Sequence, residues 1–164
     1  MELKNLLTRP DFDMKKIVYV DMDGVIVDLE GHIRSKYSPE YIAMMGNEVD
    51  TIPELFDDPK PVKGAIDAIK VLAKKYDVYF LSTAPWDNPR AWMAKRLWIE
   101  KYLGEWGYKR LILSHHKGLC KGDYLIDDRK ANGVESFDGV HIHFGTADIP
   151  DWDTVLNFFN MIEE

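Results

Sequence analysis

Residues 16–28 have the sequence KIVYVDMDGVIVD, and this stretch decides the fold. Residues 17–20 form a continuous apolar run, which is typical of a strand covered on both faces in a parallel sheet. Asp21 and Asp23 follow at once, and Gly24 then permits the positive φ of a tight turn. The sequence therefore predicts a buried strand that ends in two carboxylates and a turn.

The spacing of the two carboxylates indicates a binding site. Alternate residues of an extended segment point the same way, so Asp21 and Asp23 can converge at the carboxyl end of the strand. Ligands bind at that end in open α/β sheets. Two acids this close repel each other, so we expect a divalent cation or a retained proton beside them. The alternative interpretation is a surface turn, for which Asp and Gly are the usual residues.

The composition narrows the class of protein. With 164 residues, 46% of them hydrophobic and 30% charged, the chain suits one globular domain. A net charge of −7 disfavours polymeric nucleic acid as a partner. The single cysteine excludes an intrachain disulfide, and no apolar run approaches the length of a membrane span. The N-terminus is too short and too charged for a signal peptide, so we expect a cytoplasmic protein with no membrane contact.

The sequence between the first strand and residue 62 predicts a small helical cap, formed by residues 29–61. Ser38-Pro39 has the form of a helix start, with an N-cap followed by proline at the first helical position, and Gly46 ends that helix. Residues 51–53 have the same form and predict one more helical turn. The polar, proline-rich residues 57–61 predict a hinge back to the main domain.

From residue 62 onward, short apolar runs alternate with segments of helical periodicity. Strands are predicted at residues 78–81, 111–113, 124–126 and 140–144, and helices at residues 62–76, 88–102 and 152–162. This alternation requires right-handed crossovers and a parallel sheet. We therefore expect an α/β fold, a doubly wound parallel sheet of about five strands, with residues 1–28 and 62–164 as the core and residues 29–61 as the cap.

Polar and charged residues also follow the later predicted strands. The residues concerned are Ser82, Thr83, Lys117, Asp127 and Asp128. The carboxyl ends of parallel strands share one edge of the sheet, so these side chains can meet the acidic pair after the first strand. Carboxylates with a hydroxyl and a lysine form a site for a divalent metal and a phosphate. Ligands that are all oxygen favour Mg²⁺ over zinc or copper.

Taken in order, these segments resemble the four motifs of the haloacid dehalogenase (HAD) superfamily of phosphatases. The segments are Asp21-Met-Asp23-Gly24-Val, Ser82-Thr83, Lys117 and Asp127-Asp128. More narrowly, the chain is similar to the 5'(3')-deoxyribonucleotidase family. The stretches that carry this similarity are DMDGVIVD from Asp21, TAP from Thr83, WIEKYLG from Trp98 and GDYLIDDR from Gly122.

The resemblance implies a HAD-like fold and Mg²⁺-dependent hydrolysis of small phosphomonoesters, with nucleoside monophosphates, above all deoxyribonucleotides, as substrates. Asp21 would attack phosphorus and form an aspartyl-phosphate, and Asp23 would act as general acid and then as general base. Asp21, the Asp23 carbonyl and Asp128, with Asp127 nearby, would hold the metal.

The resemblance also implies the phosphate-binding residues. Thr83 and Lys117 would bind the equatorial oxygens, with Ser82 as the alternative hydroxyl. A further phosphate-directed lysine falls on Lys95, although the basic residues around it suit a solvated helix face equally well. Lys121 competes with Lys117 but lies closer in sequence to the acidic pair.

Residues 29–61 depart from the family pattern. The cap of the family is considerably longer, and its aromatic pair for the base has no clear counterpart here. Trp86, Phe56 and Tyr41 are the aromatic residues that could stack on a base. The base, the sugar, the phosphate position and the oligomeric state, a homodimer included, stay open.

Three alternatives remain beside a deoxyribonucleotidase. The first is a HAD phosphatase for another small phosphomonoester. The second is a receiver-like signalling domain, which also forms an aspartyl-phosphate on a parallel sheet but has neither the second acid of motif one nor a helical insertion after the first strand. The third is a binding protein that has lost turnover. His141 and His143 share one strand face, but no further ligand lies at zinc spacing, so we expect no zinc site.

Overall fold

The computed structural model describes residues 14–163. Its centre is a five-stranded sheet in the order β3-β2-β1-β4-β5, in which every neighbouring pair is parallel. The strands are β1 Ile17–Val20, β2 Asp77–Ser82, β3 Leu111–Leu113, β4 Tyr124–Asp127 and β5 Val140–His143. The predicted α/β class and parallel sheet are confirmed.

Helices connect and flank the strands. Within the described residues they are α1 Leu29–Lys36, α2 Pro39–Met45, α3 Ala65–Leu72, α4 Pro89–Leu103 and α5 Trp152–Ile162. Short 3₁₀ segments lie at Gly46–Thr51, Gly104–Trp106, Lys117–Leu119 and Val134–Ser136. In residues 14–163 no helix is long and apolar enough to cross a membrane.

The strand order places a crevice beside β1. From β1 the chain first builds outward through β2 and β3, and then returns to the other side of β1 to add β4 and β5. The carboxyl ends of β1 and β4 therefore lie next to each other at the point where the winding reverses. Open α/β sheets bind their ligands at this switch point.

β1 is buried on both faces, as its apolar sequence predicts. Val18 and Val20 belong to a large apolar cluster with side chains of α3 and α5, whereas Tyr19 belongs to a second cluster with Leu81 and Leu125. Successive side chains of a strand point to opposite faces, so one short run supplies both clusters. This double burial holds β1 rigidly at the centre of the sheet.

The helix starts form as predicted, with one exception. The Ser38 side chain accepts a hydrogen bond from the Tyr41 N–H, and the Asn88 side chain caps α4 by accepting from the Ala91 N–H. Thr51 does not begin a helix, because the 3₁₀ segment ends at that residue; the chain instead makes single turns, in which the Leu55 N–H donates to the Ile52 carbonyl and the Asp57 N–H to the Glu54 carbonyl. Ile52, which precedes a proline, is extended, as proline requires of the residue before it.

The segment between β1 and α3 packs on α4 through its own apolar cluster. Ile52, Leu55 and Phe56 contact Ala91 and Ala94 there, apart from the two clusters of the sheet. The division into a core of residues 1–28 and 62–164 and a cap of residues 29–61 stays a prediction, and its terminal residues 1–13 and 164 lie outside the described part.

Candidate active site

A cleft of about 650 Å³ opens at the carboxyl edge of the sheet, over the ends of β1 and β4. Asp21, Thr83, Lys117 and Asp127 contribute to its floor from four different strand ends or loops. Side chains of the segment between β1 and α3, Phe56 among them, form its opposite wall. The cleft therefore lies between the sheet edge and the segment predicted to be the cap.

Three carboxylates gather where β1 and β4 end, and two of them, Asp21 and Asp127, line the cleft. Asp21, Asp127 and Asp128 each offer an oxygen atom, and these oxygens all lie within 4.8 Å of one another. Asp21 is 7% exposed and Asp127 is 1% exposed. Buried anions this close repel one another strongly, so the cluster needs compensating positive charge.

Lys117 supplies part of that charge. Its side chain is almost fully buried, and its Nζ lies 3.0 Å from Asp21 Oδ1 and 2.5 Å from Asp127 Oδ2. The backbone N–H of Lys117 donates to the Asn132 carbonyl over 2.8 Å, which ties the loop after β3 to the loop after β4. Lys117 pairs with two of the three carboxylates, so a cation beside Asp128 would add compensating charge where the lysine does not reach.

The pKa values of the cluster reflect burial and mutual repulsion. Burial raises the pKa of Asp21, against the opposing charge of Lys117. Burial together with the charges of Asp21 and Asp127 raises the pKa of Asp128 to about 7. Burial alone would lower the pKa of Lys117, but its two acidic partners outweigh this effect and raise it. Burial and mutual repulsion thus oppose ionisation of Asp21 and Asp128, and a bound cation would offset both effects.

The environment of Asp128 fits a metal ligand. Its Oδ1 is buried and has no hydrogen-bond partner among the described residues. A buried carboxylate oxygen without a partner is costly, and coordination of a cation would satisfy it. The donors present are all carboxylate oxygens, which suits a hard divalent cation such as Mg²⁺.

Asp23 lies beside the cluster and faces a different cation. Its Oδ2 lies 2.6 Å from Lys95 Nζ, which also donates to the Ser82 hydroxyl over 3.2 Å. Lys95 is only 3% exposed, and its Nζ sits 5.3 Å from the centre of the Phe56 ring. The alternative of a solvated helix face for Lys95 is therefore wrong. The side-chain carboxylate of Asp23 forms this ion pair with Lys95. The predicted metal ligand is a different group of the same residue, its backbone carbonyl, and this assignment stays a prediction.

The two hydroxyls after β2 differ in position. Thr83 lines the cleft, and its hydroxyl donates to the Ser114 carbonyl over 2.7 Å. Ser82 is 1% exposed and contacts Lys95. Thr83 is thus the hydroxyl residue that borders the cleft, and phosphate binding by either residue stays a prediction.

An aromatic wall borders the outer cleft. Trp86 is 74% exposed, and its ring makes edge contacts with Trp92 and His115 at centroid distances of 6.1 and 6.0 Å. The Trp92 indole N–H donates to the Pro85 carbonyl over 2.9 Å, which fixes the loop that carries Trp86. Tyr41 instead stacks on a neighbouring tyrosine in the segment between β1 and α3.

The structure adds cleft residues that the sequence interpretation missed. Arg129 and Asn132 line the cleft from the loop after β4, and Asn47 and Asp50 line it from the facing segment. The position of Arg129 directly after the acidic pair was a usable signal. The sequence around Asn132 gave no comparable signal. Asn132 has a left-handed backbone with φ of 55°.

Comparisons with known proteins identify relatives of this chain. A family model described as "5' nucleotidase, deoxy (Pyrimidine), cytosolic type C protein" matches residues 47–149. A Vibrio phage KVP40 protein described as "Putative 5'(3')-deoxyribonucleotidase" is 55% identical, over 88% of this chain and 84% of its own length. A Bacillus subtilis "5'(3')-deoxyribonucleotidase" is 30% identical, over 80% of this chain and 86% of its own length.

A solved structure supports the fold. The "putative HAD-hydrolase YfnB from Bacillus subtilis bound to magnesium" has a TM-score of 0.65, covers 90% of this chain and 99% of its own, and is 9% identical in sequence. The chain thus has a HAD-like fold with an aspartate cluster, and this structural neighbour was solved with magnesium bound.

Proposed function

This chain belongs to the cytosolic type C family of 5'(3')-deoxyribonucleotidases and is a phosphoric monoester hydrolase, and on that premise we propose that it dephosphorylates deoxyribonucleoside monophosphates through an aspartyl-phosphate on Asp21. The observation that carries the proposal is the cluster of Asp21, Asp127 and Asp128 around Lys117 at the floor of the cleft. The family description also supports a cytosolic location, and the net charge of −7 favours small substrates over polymeric nucleic acid.

Asp21 is the proposed nucleophile. It ends the central strand, where burial on both faces of β1 fixes its position, and its carboxylate faces the open cleft. An Asp21 oxygen forms a bond to phosphorus while the ester bond from phosphorus to the nucleoside oxygen breaks. Water then attacks phosphorus and releases Asp21, so one difficult hydrolysis becomes two easier displacements.

Asp23 is the proposed general acid and base. It gives a proton to the departing nucleoside oxygen in the first step and takes one from the attacking water in the second. Its ion pair with Lys95 supports the position that this role needs, because the lysine holds the side chain at a fixed place after β1. Lys95 in turn is held between Asp23, the Ser82 hydroxyl and the Phe56 ring.

The proposed cofactor is Mg²⁺, held by Asp21, Asp128 and the Asp23 carbonyl with Asp127 nearby. When bound, Mg²⁺ screens the carboxylates from the incoming phosphate and offsets the negative charge of the phosphoryl group. The buried, unpartnered Oδ1 of Asp128 supports this assignment.

Lys117, Lys95 and Thr83 are the proposed phosphate ligands, with Ser82 as a support behind them. Charge on a transferring phosphoryl group spreads over its equatorial oxygens, so cations fixed at the floor stabilise it. Lys117 already lies within hydrogen-bond distance of the proposed nucleophile, which supports a place beside the reacting phosphorus.

The nucleoside is proposed to lie toward the outer cleft, between the predicted cap of residues 29–61 and the loops after β2 and β3. Phe56 lies on the cap side, and Trp86 and His115 lie on the loop side. A nucleobase can stack on aromatic side chains of this kind. A sugar phosphate has no base and would leave these side chains without a stacking partner.

The test is phosphate release from dTMP by the wild-type chain and by Asp21→Asn, each with and without Mg²⁺. Asparagine keeps the shape and loses the attacking charge, so we expect a loss of about 10³-fold or more with the fold intact by circular dichroism. Near-wild-type turnover by Asp21→Asn would exclude the proposed nucleophile.

A substrate panel separates the alternatives. The panel holds deoxyribonucleotides with 5' and 3' phosphates, ribonucleotides and sugar phosphates. A preference for a sugar phosphate would indicate a HAD phosphatase for another small substrate. Lasting phosphorylation of Asp21 by acetyl phosphate without turnover would indicate a receiver-like domain.

A further inference from the structure

We infer that His143 is a positioning residue that holds Asp128 in the acidic cluster through the Asp128 backbone carbonyl. The inference rests on the proposed function only in taking Asp128 as a metal ligand. Its basis is a pair of imidazoles on β5 that reach across to the end of β4, where the acidic pair lies.

The pairing of β4 with β5 brings the two elements together. The strands are parallel, and His143 is the register partner of Asp127. His141 Nε2 lies 3.0 Å from the Asp127 carbonyl oxygen, and His143 Nε2 lies 3.0 Å from the Asp128 carbonyl oxygen. The two imidazoles stack on each other, with centroids 5.0 Å apart and planes at 28°. Two consecutive carbonyls of the acidic loop are thus each held by one ring of a stacked pair.

The chemistry of the contact fixes the direction of the hydrogen bonds. A carbonyl oxygen accepts hydrogen bonds and cannot donate, so each Nε2 must carry the proton. His141 and His143 therefore act here as N–H donors to the backbone. Hydrogen bonding to the backbone is therefore the role that these contacts give to both histidines.

The two acidic residues depend on their histidines to different degrees. The Asp127 carbonyl also accepts from the Phe144 N–H over 3.1 Å, and the Asp127 side chain accepts from Lys117 and from the Arg129 N–H. Among residues 14–163, the Asp128 carbonyl has the His143 contact as its hydrogen bond, and Asp128 Oδ1 has none. Loss of His143 therefore removes the hydrogen bond of the Asp128 carbonyl, whereas loss of His141 leaves the Asp127 carbonyl with its bond from Phe144.

Repulsion makes this support consequential. The Asp128 carboxylate lies within 4.8 Å of two other carboxylates, whose charges repel it whenever it is ionised. A peptide that is not held from behind can rotate and carry the side chain toward water. The metal would then have to return Asp128 to its place on binding, which lowers the affinity for the metal. Loss of a residue that holds a metal ligand in place typically lowers metal affinity about 10–100-fold.

The experiment measures Mg²⁺ binding by isothermal titration calorimetry on the full chain with no substrate present. We expect His143→Ala to raise the Mg²⁺ dissociation constant about 10–100-fold. His141→Ala is the matched control on the same strand, and its dissociation constant should change less than about threefold because Asp127 keeps its other contacts. The KM for dTMP at saturating Mg²⁺ should stay near the wild-type value in both variants.

A second pair keeps the test decisive if His143→Ala does not fold. His143→Gln retains an N–H at similar reach and should bind Mg²⁺ nearly as wild type does, whereas His143→Met has similar size and no donor and should show the loss. Wild-type affinity in folded His143→Met, or equal losses in His143→Met and His143→Gln, would overturn the inference. If the wild-type chain binds Mg²⁺ and shows this pattern but does not hydrolyse dTMP, the proposed function fails and the positioning role stands.

Discussion

Gly24 and Asp128 pack so closely that a Cβ built on Gly24 would lie 2.2 Å from Asp128 Oδ2. Gly24 also has a φ of 78°, which only glycine adopts without strain. The turn after β1 and the acidic loop after β4 are therefore fitted to each other, although the two residues lie about a hundred positions apart in the chain.

Gly24→Ala should displace the Asp128 carboxylate. The methyl group cannot share space with Oδ2, so we expect Mg²⁺ affinity to fall at least about tenfold, with about 1–3 kcal/mol of lost stability from the positive φ. Gly145→Ala is the control, because Gly145 has a φ of 82° and nothing within 4 Å of a Cβ. Calorimetric Mg²⁺ titration and urea unfolding measure both effects. An equal loss of Mg²⁺ affinity in the two variants would contradict the clash with Asp128.

Lys117→Met should destabilise the metal-free protein strongly. The change leaves Asp21 and Asp127 without their buried cation, and breaking a buried ion pair from one side costs about 3–5 kcal/mol. Lys121→Met is the control, because its pair with Asp138 lies on the surface, where screening by water leaves the pair little effect on stability. Unfolding in urea with EDTA measures the difference. A greater loss in Lys121→Met would transfer the structural role to that lysine.

The stability of the metal-free protein should fall as the pH rises. Asp128 has a pKa of about 7 in the fold against an ordinary value of 3.8. A carboxyl with a raised pKa holds its proton more tightly in the folded state, so its contribution is lost as the pH rises from about 4 to about 7. Mg²⁺ competes with that proton and should raise Tm more at about pH 8 than at about pH 5.

Asp128→Asn is the control for this dependence. The amide does not titrate, so the fall of Tm in EDTA over this range should become shallower and the effect of Mg²⁺ should shrink. Thermal unfolding of both proteins at several pH values makes the comparison. A wild-type Tm in EDTA that rises over the same range would contradict the assignment.

Trp86→Ala should weaken the binding of nucleotides and leave the chemistry of the phosphate intact. Trp86 is 74% exposed, so its removal has little effect on stability. Stacking of a base on an aromatic ring is worth about 1–3 kcal/mol, which predicts a rise of roughly 5–150-fold in KM for dTMP. Deoxyribose 5-phosphate, which has no base, is the control substrate and should show an unchanged kcat/KM. Equal effects on both substrates would place the base elsewhere.

Local patterns sufficed for most of the secondary structure. The apolar run of β1, the Ser38 cap and the Asn88 cap all depend on residues within one or two turns along the chain. The helix start predicted at Thr51 failed because the 3₁₀ segment Gly46–Thr51 already includes that residue, and single turns follow it. The local pattern of an N-cap followed by proline does not show whether the preceding helix continues as a 3₁₀ segment.

The sequence by itself determined the parallel sheet and the gathering of Asp21, Lys117 and Asp128 at one edge, because parallel strands all end on the same side. Only the tertiary structure decided that Lys95 turns inward to Asp23 and that His143 holds the Asp128 carbonyl. These contacts depend on how neighbouring strands and helices pack to within a few tenths of an ångström, and periodicity along the chain does not encode distances of that kind.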